Sequence, residues 1–261
     1  MPQQQQRVAL VTGATSGIGL AVVRTLAAQG HRVFLCARSA ENVKSTVEEL
    51  LAEGLDVDGT SCDVRSAEEI KAFVAAAVAR FGPVHVLVNN AGRSGGGVTA
   101  ELTDDLWFDV INTNLNSVFL VTREVLNAGG MREQSSGRII NIASTAGKQG
   151  VVLGAPYSAS KHGVVGFTKA LGNELGPTGI TVNAVCPGYV ETPMAARVRQ
   201  GYATALDLSE EAVLERFHAK IPLGRYSTPE EVAGLVGYLA SDTAASITAQ
   251  ALNVCGGLGN F

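Results

Sequence analysis

The stretch Val8-Ala9-Leu10-Val11-Thr12-Gly13-Ala14-Thr15-Ser16-Gly17-Ile18-Gly19 decides the fold. A short apolar run enters a turn with glycine at positions 13, 17 and 19, and a helical pattern follows directly. A strand, a glycine-rich turn and a helix are the first half of a βαβ unit, in which the next strand lies parallel to the first. The stretch therefore predicts an α/β fold.

The rest of the chain repeats this alternation of short β-rich runs and longer helical patterns. Predicted strands are residues 8–11, 32–37, 56–62, 84–88, 138–143, 181–185 and 251–254, and predicted helices lie near 17–29, 40–53, 66–81, 103–128, 155–176, 209–220 and 229–241. Such alternation predicts a Rossmann-type, doubly wound parallel sheet of about seven strands with helices on both faces. Without a linker or a short repeat, residues 1–261 are predicted to form a single domain.

The segment 193–222 interrupts the alternation before the last strand. It is long and carries Met194, Tyr202 and Phe217. Ligands bind outside the carboxyl ends of the strands in open α/β sheets, so a segment placed there can cover a site. We predict a helical lid, with a plain surface pair of helices as the alternative.

Composition limits the partners and the compartment. The net charge is −4 and no basic tract is present, which argues against nucleic acid. No apolar run approaches the ~18 residues of a membrane span, and residues 1–7 lack the apolar core of a signal peptide. The cysteines are widely spaced and the histidines have no ligand spacing, which predicts buried free thiols, no metal site and a cytoplasmic protein. These cysteines are Cys36, Cys62, Cys186 and Cys255.

The glycine-rich turn is suited to an anion. Glycines at 13, 17 and 19 let the backbone approach a pyrophosphate, and the following helix supplies N–H donors and positive potential. The spacing is G-x-x-x-G-x-G rather than the commoner G-x-G-x-x-G. Its place between the first strand and the first helix makes a dinucleotide site the preferred interpretation over an ordinary turn.

The end of the second strand indicates which dinucleotide binds. An NAD site normally has a carboxylate there that accepts from the ribose 2′-hydroxyl, whereas this chain has Cys36-Ala37-Arg38-Ser39. Arg38 can form paired hydrogen bonds with a 2′-phosphate, which predicts NADPH/NADP+. Asp63, after the third strand, is suited either to the adenine amino group or to capping the following helix.

Tyr157-Ser158-Ala159-Ser160-Lys161 brings two reactive side chains together. Residues four apart share one face of a helix, so Tyr157 and Lys161 are neighbours if this segment is helical. An ammonium near a phenol favours phenolate and lowers the tyrosine pKa from ~10 toward neutrality. Such a phenol gives a proton to a developing alkoxide or takes one from an alcohol. The spacing alone also occurs in solvated pairs on helix surfaces.

Taken together, these motifs resemble the short-chain dehydrogenase/reductase family, over essentially the whole chain. The matching positions are the turn at 12–19, Asn89-Asn90-Ala91-Gly92, Asn114, Ser144, Tyr157, Lys161 and Pro187-Gly188. The resemblance implies that Tyr157 donates the proton and that Ser144 holds the substrate carbonyl. It implies that Lys161 lowers the tyrosine pKa and holds the nicotinamide ribose, and that Asn114 holds a water linking Lys161 to bulk solvent.

The same resemblance implies a set of cofactor-binding residues along the carboxyl edge of the sheet. They are Thr12, Gly13, Thr15, Ser16, Gly17, Ile18, Gly19, Arg38, Asp63, Val64, Asn90, Ala91, Gly92, Tyr157, Lys161, Pro187, Gly188, Val190 and Thr192. Val190 and Thr192 are expected to contact the nicotinamide carboxamide.

Within the family, the chain is most similar to the aromatic polyketide ketoreductases of bacterial type II systems, the actinorhodin type. The similar stretches are 93–97, 147–151, 156–171, 185–195 and 249–260. This implies reduction of one carbonyl of an acyl-carrier-protein-bound polyketide with NADPH, in antibiotic biosynthesis. The expected substrate residues are Ser94, Gly95, Gly96, Gln149, Val151, Met194 and Tyr202. The actinorhodin type has proline in place of Ser94, and serine frees φ and restores a backbone donor.

Two partners and two alternatives complete the expectations. Arg38, Arg65 and Arg93 follow the second, third and fourth strands and are predicted to dock an acidic carrier protein. The alternative is that Arg38 is committed to the 2′-phosphate and that Arg65 and Arg93 are solvated loop charges. The apolar residues 249–261 suit an interface, and the family is commonly tetrameric. A 3-oxoacyl-carrier-protein reductase of fatty acid synthesis is the alternative enzyme. A non-catalytic NADP-binding sensor is the alternative outside enzymes, although such a protein is expected to lose the tyrosine or the lysine.

Overall fold

A computed structural model describes residues 6–259 and contains a seven-stranded, fully parallel sheet in that range. The order β3-β2-β1-β4-β5-β6-β7 reverses direction between β1 and β4, where a cleft opens at the carboxyl edge. The strands are β1 (Val8–Thr12), β2 (Arg32–Ala37), β3 (Val57–Ser61), β4 (Val84–Asn89), β5 (Gly137–Ile142), β6 (Ile180–Pro187) and β7 (Ala251–Val254). The predicted doubly wound sheet is confirmed.

Helices connect consecutive strands on both faces. They are α1 (Gly17–Ala28), α2 (Ala40–Ala52), α3 (Ala67–Phe81), α4 (Asp104–Ile111), α5 (Ser117–Ala128), α6 (Ala155–Leu175), α7 (Pro193–Leu206), α8 (Glu210–His218) and α9 (Pro229–Ala240). A π-helical turn, Asn112–Asn116, joins α4 to α5. The predicted helix at 103–128 is therefore a single stretch, locally widened where one functional candidate sits.

Alternating strand residues fill two separate cores. Leu10 and Leu87 pack with α3, α5 and α6, whereas Val11 and Val88 pack with α1 and α9 on the opposite face. All four side chains are fully buried, and burying one of this size stabilises a fold by about 1.5–3 kcal/mol. The sheet is consequently fixed on both faces, and its carboxyl edge is a rigid support.

The chain between β6 and β7 adds two helices to the crossover helix α9. The sequence patterns did not include α7, although Thr192-Pro193 is a helix-start signal. The Thr192 side chain accepts from the backbone N–H of Ala195, and α7 ends at Asp207, which has a φ of 52°. Ser209 then caps α8. The predicted helical insertion before the last strand is confirmed as a pair of helices.

The α7–α8 pair has an aromatic core of its own. The Tyr189 ring stacks on Phe217 with centroids 4.6 Å apart and on Tyr226 with centroids 5.2 Å apart. Tyr202 meets Phe217 edge-on at 5.3 Å. These residues form a hydrophobic cluster separate from the two sheet cores, so the pair packs against the rest of the protein through a cluster of its own.

All four cysteines are buried and free, as predicted. Within residues 6–259 there is no helix long and apolar enough to cross a bilayer. The same range contains no group of three or more histidine, cysteine or acidic side chains arranged to hold a metal ion.

Candidate active site

The turn after β1 has the conformation that its glycines permit. Gly13 and Gly17 have φ of 65° and 53°, in the left-handed region that disfavours side chains. A Cβ on Gly13 would lie 2.8 Å from the Cα of Ala91, and a Cβ on Gly19 would overlap the Gly13 carbonyl oxygen and the Asn90 side-chain amide. These glycines therefore allow the turn to pack directly against the chain that follows β4.

Thr12 and Asn90 join the ends of β1 and β4. The buried Thr12 hydroxyl accepts from the backbone N–H groups of Asn90 at 3.1 Å and Ala91 at 3.0 Å. In return, the Asn90 side-chain amide donates to the carbonyls of Thr12 at 2.9 Å and Gly13 at 2.8 Å. Four hydrogen bonds fix this corner of the site.

The amino end of α1 suits an anion. Ser16 is the N-cap, but its side chain accepts no capping hydrogen bond within the described chain, and the first turn, which includes Ile18, contains no acidic residue. Helix N-termini carry unsatisfied N–H donors and positive potential, so the turn at Thr15 and Ser16 offers the kind of donors that a pyrophosphate needs. A Cβ on Gly17 would lie 3.2 Å from Thr192 Cγ2, so this turn faces the start of α7.

The ends of β2 and β3 carry the residues predicted to read the cofactor's outer end. Arg38 is exposed directly after β2, and no side chain within residues 6–259 pairs with its guanidinium. The Asp63 carboxylate instead accepts from Arg65 Nε at 3.0 Å, and this hydrogen bond holds the Asp63 pKa below its ordinary value. The helix-cap alternative for Asp63 is wrong, because Ser66 caps α3. Val64, between them, is buried.

The opposite half of the predicted cofactor site lies around the end of β6. The backbone N–H of Gly188, after Pro187, donates to Val254 in β7 at 3.0 Å. Val190 is buried and forms a short parallel bridge with Ser227, and Thr192 begins α7. These residues and the chain from Asn90 to Gly92 flank β5, so the two halves face each other across its end.

Ser144, Tyr157 and Lys161 meet at that end of β5. Ser144 follows β5, whereas Tyr157 and Lys161 lie one turn apart on α6. The Ser144 hydroxyl accepts from the N–H of Ala146 at 3.1 Å, and it lies close enough to Tyr157 to oppose the rise of the phenol pKa. Lys161 Nζ donates to the carbonyl of Ile142 at 2.8 Å. Hydrogen bonds therefore fix Ser144 and Lys161 beside the end of β5.

The expected effect of Lys161 on Tyr157 needs correction. Burial raises the pKa of the Tyr157 phenol, and the opposing influence is Ser144 rather than Lys161. Lys161 Nζ lies 5.8 Å from the Tyr157 ring centroid, and burial lowers the Lys161 pKa to about 8. The predicted lowering of the tyrosine pKa by the ammonium is therefore wrong for this arrangement.

Asn114 is fully buried in the π-helical turn. Its Oδ1 accepts from the backbone N–H of Arg93 at 2.8 Å, and its Nδ2 donates to the Arg93 carbonyl at 3.0 Å and to Ser160 Oγ at 3.1 Å. A Cβ on Gly92 would lie 3.3 Å from Asn114 Oδ1 and 3.7 Å from Lys161 Nζ. Asn114 thus adjoins Lys161 and also positions the loop after β4 through its two hydrogen bonds with the Arg93 backbone.

The expected substrate residues come from three segments that touch. A Cβ on Gly95 would overlap Val110, and one on Gly96 would overlap the carbonyl oxygen of Leu153. That carbonyl accepts from Gly97 N–H at 2.8 Å. The Tyr202 hydroxyl donates to the Val152 carbonyl at 2.9 Å, which ties α7 to the loop before α6. The remaining members, Ser94, Gln149, Val151 and Met194, lie on these same segments.

Leu153 and Ser160 are site residues that the sequence analysis missed. Leu153 has a φ of 58°, which is uncommon for any residue except glycine, so the sequence could not predict it. Ser160 is fully buried between Asn114 and the carbonyl of Tyr157, to which its hydroxyl donates at 2.7 Å. Its position within the Tyr157-to-Lys161 motif was the available signal.

Two of the three arginines predicted to dock a carrier are already engaged. Arg65 pairs with Asp63 and, through Nη1, with Asp109 at 2.6 Å. Arg93 forms an ion pair with the same Asp109. Among the three, Arg38 alone makes no ion pair within residues 6–259, so the expected patch of three available cations is wrong. A docking role for these residues remains a prediction.

Known proteins share this arrangement. The chain matches the family model of the short chain dehydrogenases over residues 7–203. It is 76% identical, over 261 residues covering all of both chains, to the proposed ketoacyl reductase of a monensin polyketide synthase from Streptomyces virginiae. It is 41% identical over 254 residues to a 3-oxoacyl-[acyl-carrier-protein] reductase from Pseudomonas aeruginosa, covering 97% of this chain and 98% of the relative.

A solved structure is similarly close. A variant of actinorhodin polyketide ketoreductase, in a crystal structure with NADPH, aligns with a TM-score of 0.97 at 64% identity, and the alignment covers 100% of both chains. Its fold therefore matches the described sheet and helices throughout.

Proposed function

The chain belongs to the short-chain dehydrogenase family, and from that premise we propose that it is an NADPH-dependent ketoreductase acting on a carrier-bound polyketide. The observation that carries the proposal is the meeting of Ser144, directly after β5, with Tyr157 and Lys161 of α6, where Lys161 Nζ donates to the Ile142 carbonyl. Two hydroxyl donors converge there, which is the arrangement needed to grip one carbonyl oxygen. Residues 1–261 would act as one NADP-binding reductase domain.

The glycine turn, the α1 N-terminus and Arg38 fit NADPH. The turn approaches the chain after β4 closely, α1 offers unused donors, and Arg38 is an available cation after β2. When bound, NADPH supplies a hydride to the substrate carbonyl carbon. Ser144 then hydrogen-bonds the developing alkoxide, and the Tyr157 phenol transfers its proton to that oxygen, which yields the alcohol.

Lys161 and Asn114 support this transfer in the proposed mechanism. Lys161, buried and held by the Ile142 carbonyl, is placed to hold the nicotinamide ribose and to return a proton toward Tyr157. The water proposed for Asn114 must bind through Asn114 groups other than the two Nδ2 protons, because these already donate to Arg93 and Ser160.

A polyketide substrate is preferred over a fatty acyl chain. The 76% and 64% identities are to proteins named for polyketide synthesis, whereas identity to the carrier-protein reductase is 41%. The loop at 94–97, the loop at 149–153 and α7 frame the opening, and these segments are the proposed substrate contacts. Comparing turnover of a bicyclic ketone with that of acetoacetyl thioesters separates the two reductases.

We further propose a cytoplasmic homotetramer. Four buried free thiols suit a reducing compartment. β7 is an edge strand in which all four residues are only partly buried, and exposed Phe119 and Tyr238 add uncovered apolar surface. The predicted interface at 249–261 includes Asn260 and Phe261, which lie outside the described residues. Sedimentation velocity at several concentrations tests the assembly.

The direct test of the proposed function is consumption of NADPH, with NADH as the comparison, in the presence of a ketone. Turnover that depends on both NADPH and the ketone supports the ketoreductase. Tight NADPH binding without reduction of any ketone or carrier-bound substrate would favour the non-catalytic sensor instead.

A further inference from the structure

A pocket of about 400 Å³ lies on the α7–α8 pair, outside the site described above. Its floor is apolar, with Val213 and Phe217 both buried, and its rim carries exposed cationic side chains. The lining residues are Tyr202, Leu206, Val213, Arg216, Phe217, Ala219 and Lys220. The proposed reaction uses none of this surface except Tyr202, which forms one wall.

The rim of this lid pocket is cationic on the side that faces outward. At 100° per residue, Arg216 shares a helix face with Val213 and Phe217, whereas Glu211 and Glu215 fall on the opposite face of α8. Neither Arg216 nor Lys220 pairs with a carboxylate among residues 6–259, and Lys220 Nζ lies 5.5 Å over the Phe217 ring. Two available cations therefore flank an apolar cavity.

The arginines near the cofactor edge contrast with this rim. Arg65 and Arg93 share Asp109, and Arg65 also holds Asp63, so their charges are largely balanced locally. An acidic protein gains more from unpaired cations than from cations that must first leave a carboxylate. The lid pocket offers such cations together with apolar surface.

The pocket is connected to the proposed substrate opening through one side chain. The Tyr202 ring lines the pocket, and its hydroxyl donates to Val152. The neighbouring Val151 N–H donates to Ser158 Oγ at 3.2 Å, next to Tyr157 on α6. A partner seated in the pocket would thus lie beside the loop that frames the opening.

We propose that the lid pocket docks the acidic carrier protein that delivers the substrate, an inference that rests on the proposed function. One large apolar side chain of the carrier enters the cavity against Phe217 and Val213. Carboxylates beside it pair with Arg216 and Lys220. Apolar anchoring in a pocket with a charged rim is the usual anatomy of a small protein interface, and the charges steer the encounter.

The test compares two substrates across matched variants. Arg216→Glu/Lys220→Glu reverses the rim, and Ala219→Trp fills the cavity without changing charge. Arg132→Glu reverses an exposed cation on the turn before β5, at the opposite edge of the sheet. Each is assayed with an acetoacetyl group on an acyl carrier protein and with a free bicyclic ketone, after thermal unfolding confirms folding.

Reversal of the rim should lower kcat/KM for the carrier-bound substrate by about tenfold or more, since rim charges act on the association rate. Ala219→Trp should lower kcat/KM for the carrier-bound substrate to a similar extent, and Arg132→Glu should leave it unchanged. The free ketone should be reduced within about twofold of the wild-type rate by every variant. The loss from charge reversal should shrink with added salt, because screening limits surface charge to ~10 Å at 0.1 M.

Other results would overturn the docking role. An unchanged kcat/KM for the carrier-bound substrate in both pocket variants would reject docking at the pocket but leave the ketoreductase proposal intact. A larger loss from Arg65→Glu/Arg93→Glu than from the pocket variants would have the same meaning. An equal loss on the free ketone would make the pocket part of the substrate site, and dissociation of the assembly in Ala219→Trp would make a second copy the occupant. A wild-type protein that reduces neither substrate would reject the proposed function itself.

Discussion

The glycine turn at 12–19 and the α7–α8 pair face each other across the cofactor cleft, yet they are held in different ways. Four hydrogen bonds between Thr12, Asn90 and their neighbours fix the turn, and added Cβ atoms would overlap it. The helix pair is held by stacked rings, by one hydrogen bond from Tyr202 to Val152 and by the paired hydrogen bonds of Arg199 with the Glu191 carboxylate. Directional contacts to backbone leave one geometry, whereas apolar ring contacts tolerate repacking.

This difference matches what each region has to do. We call the glycine turn and the end of the sheet with Ser144, Tyr157 and Lys161 the floor of the cleft. A hydride and a proton must reach one carbonyl there, so the floor must hold its groups within small tolerances. A poly-ketone chain varies in shape, so the surface above the site benefits from adaptable contacts. We therefore expect substitutions at the end of the sheet to reduce rate or cofactor binding sharply, and substitutions on the helix pair to act on delivery and binding of the substrate rather than on the chemical step.

The largest effect is expected from Tyr157→Phe, which removes one hydroxyl from the floor. Loss of a general acid should lower kcat by roughly 10²–10⁴-fold. NADPH affinity should change little, because the phenol is remote from the pyrophosphate end. Steady-state turnover and fluorescence titration with NADPH measure the two quantities, and near-native turnover would contradict the proposed mechanism.

Arg38→Asp tests the outer end of the same rigid half. Loss of a charge-assisted phosphate contact is worth on the order of 1.5–3 kcal/mol, so the KM for NADPH should rise roughly 10–150-fold. The preference over NADH should narrow or reverse. Lys71→Glu, an exposed charge reversal on α3, is the matched control. Equal use of both cofactors by the wild type would remove the basis of this prediction.

The sheet and the floor could be predicted from sequence because their signals are local. Glycine at positions 13, 17 and 19 of a strand-to-helix turn has few explanations other than a dinucleotide site. Tyr157 and Lys161 are fixed relative to each other by helix geometry. The same local patterns, read along the whole chain, predicted the sheet and most of its helices.

Other features depend on contacts that no local pattern encodes. The pairing of Arg65 and Arg93 with Asp109 joins residues far apart in sequence, so three arginines after three strand ends were wrongly expected to be available. The left-handed Leu153 is fixed by the neighbouring glycine loop, whose Gly97 N–H it accepts. Burial likewise decided the direction of the Tyr157 pKa.

The amino edge of the sheet provides a test that touches neither half of the cleft. Burial, then Arg7 and His85, lowers the pKa of His31, so folding favours its neutral imidazole. The unfolded chain binds that proton near pH ~6.5, so this contribution to stability is complete above that pH and is lost as the pH falls.

The free energy of unfolding should therefore fall between pH 7 and pH 5, by up to about 1.4 kcal/mol per pH unit for each such histidine. His85, whose pKa is also lowered by burial, adds to the slope. His31→Leu should flatten the dependence, whereas His162→Gln, at an exposed position, should leave it unchanged. Urea titrations at several pH values measure the slopes, and a slope that His31→Leu leaves intact would assign it to other groups.

The smallest effect is expected from Tyr202→Phe, which removes the hydrogen bond to Val152 but keeps the ring. A neutral hydrogen bond contributes about 0.5–1.5 kcal/mol, so kcat should change by less than about tenfold. Amide exchange at 193–222 should become faster than in the wild type, and a bulky ketone should slow it more than exchange in the sheet. Faster amide exchange throughout the sheet as well would show that the sheet and the α7–α8 pair are not stabilised independently.

The central claim is that this chain reduces a ketone through Ser144 and Tyr157. The most direct measurement is reduction of a bicyclic ketone with NADPH deuterated at its transferable position, followed by mass spectrometry and NMR of the product. The account predicts one deuterium on the carbinol carbon with wild-type protein and turnover lowered by roughly 10²–10⁴-fold in Tyr157→Phe. An alcohol without deuterium, or bound NADPH with no reduction of any ketone, would contradict it.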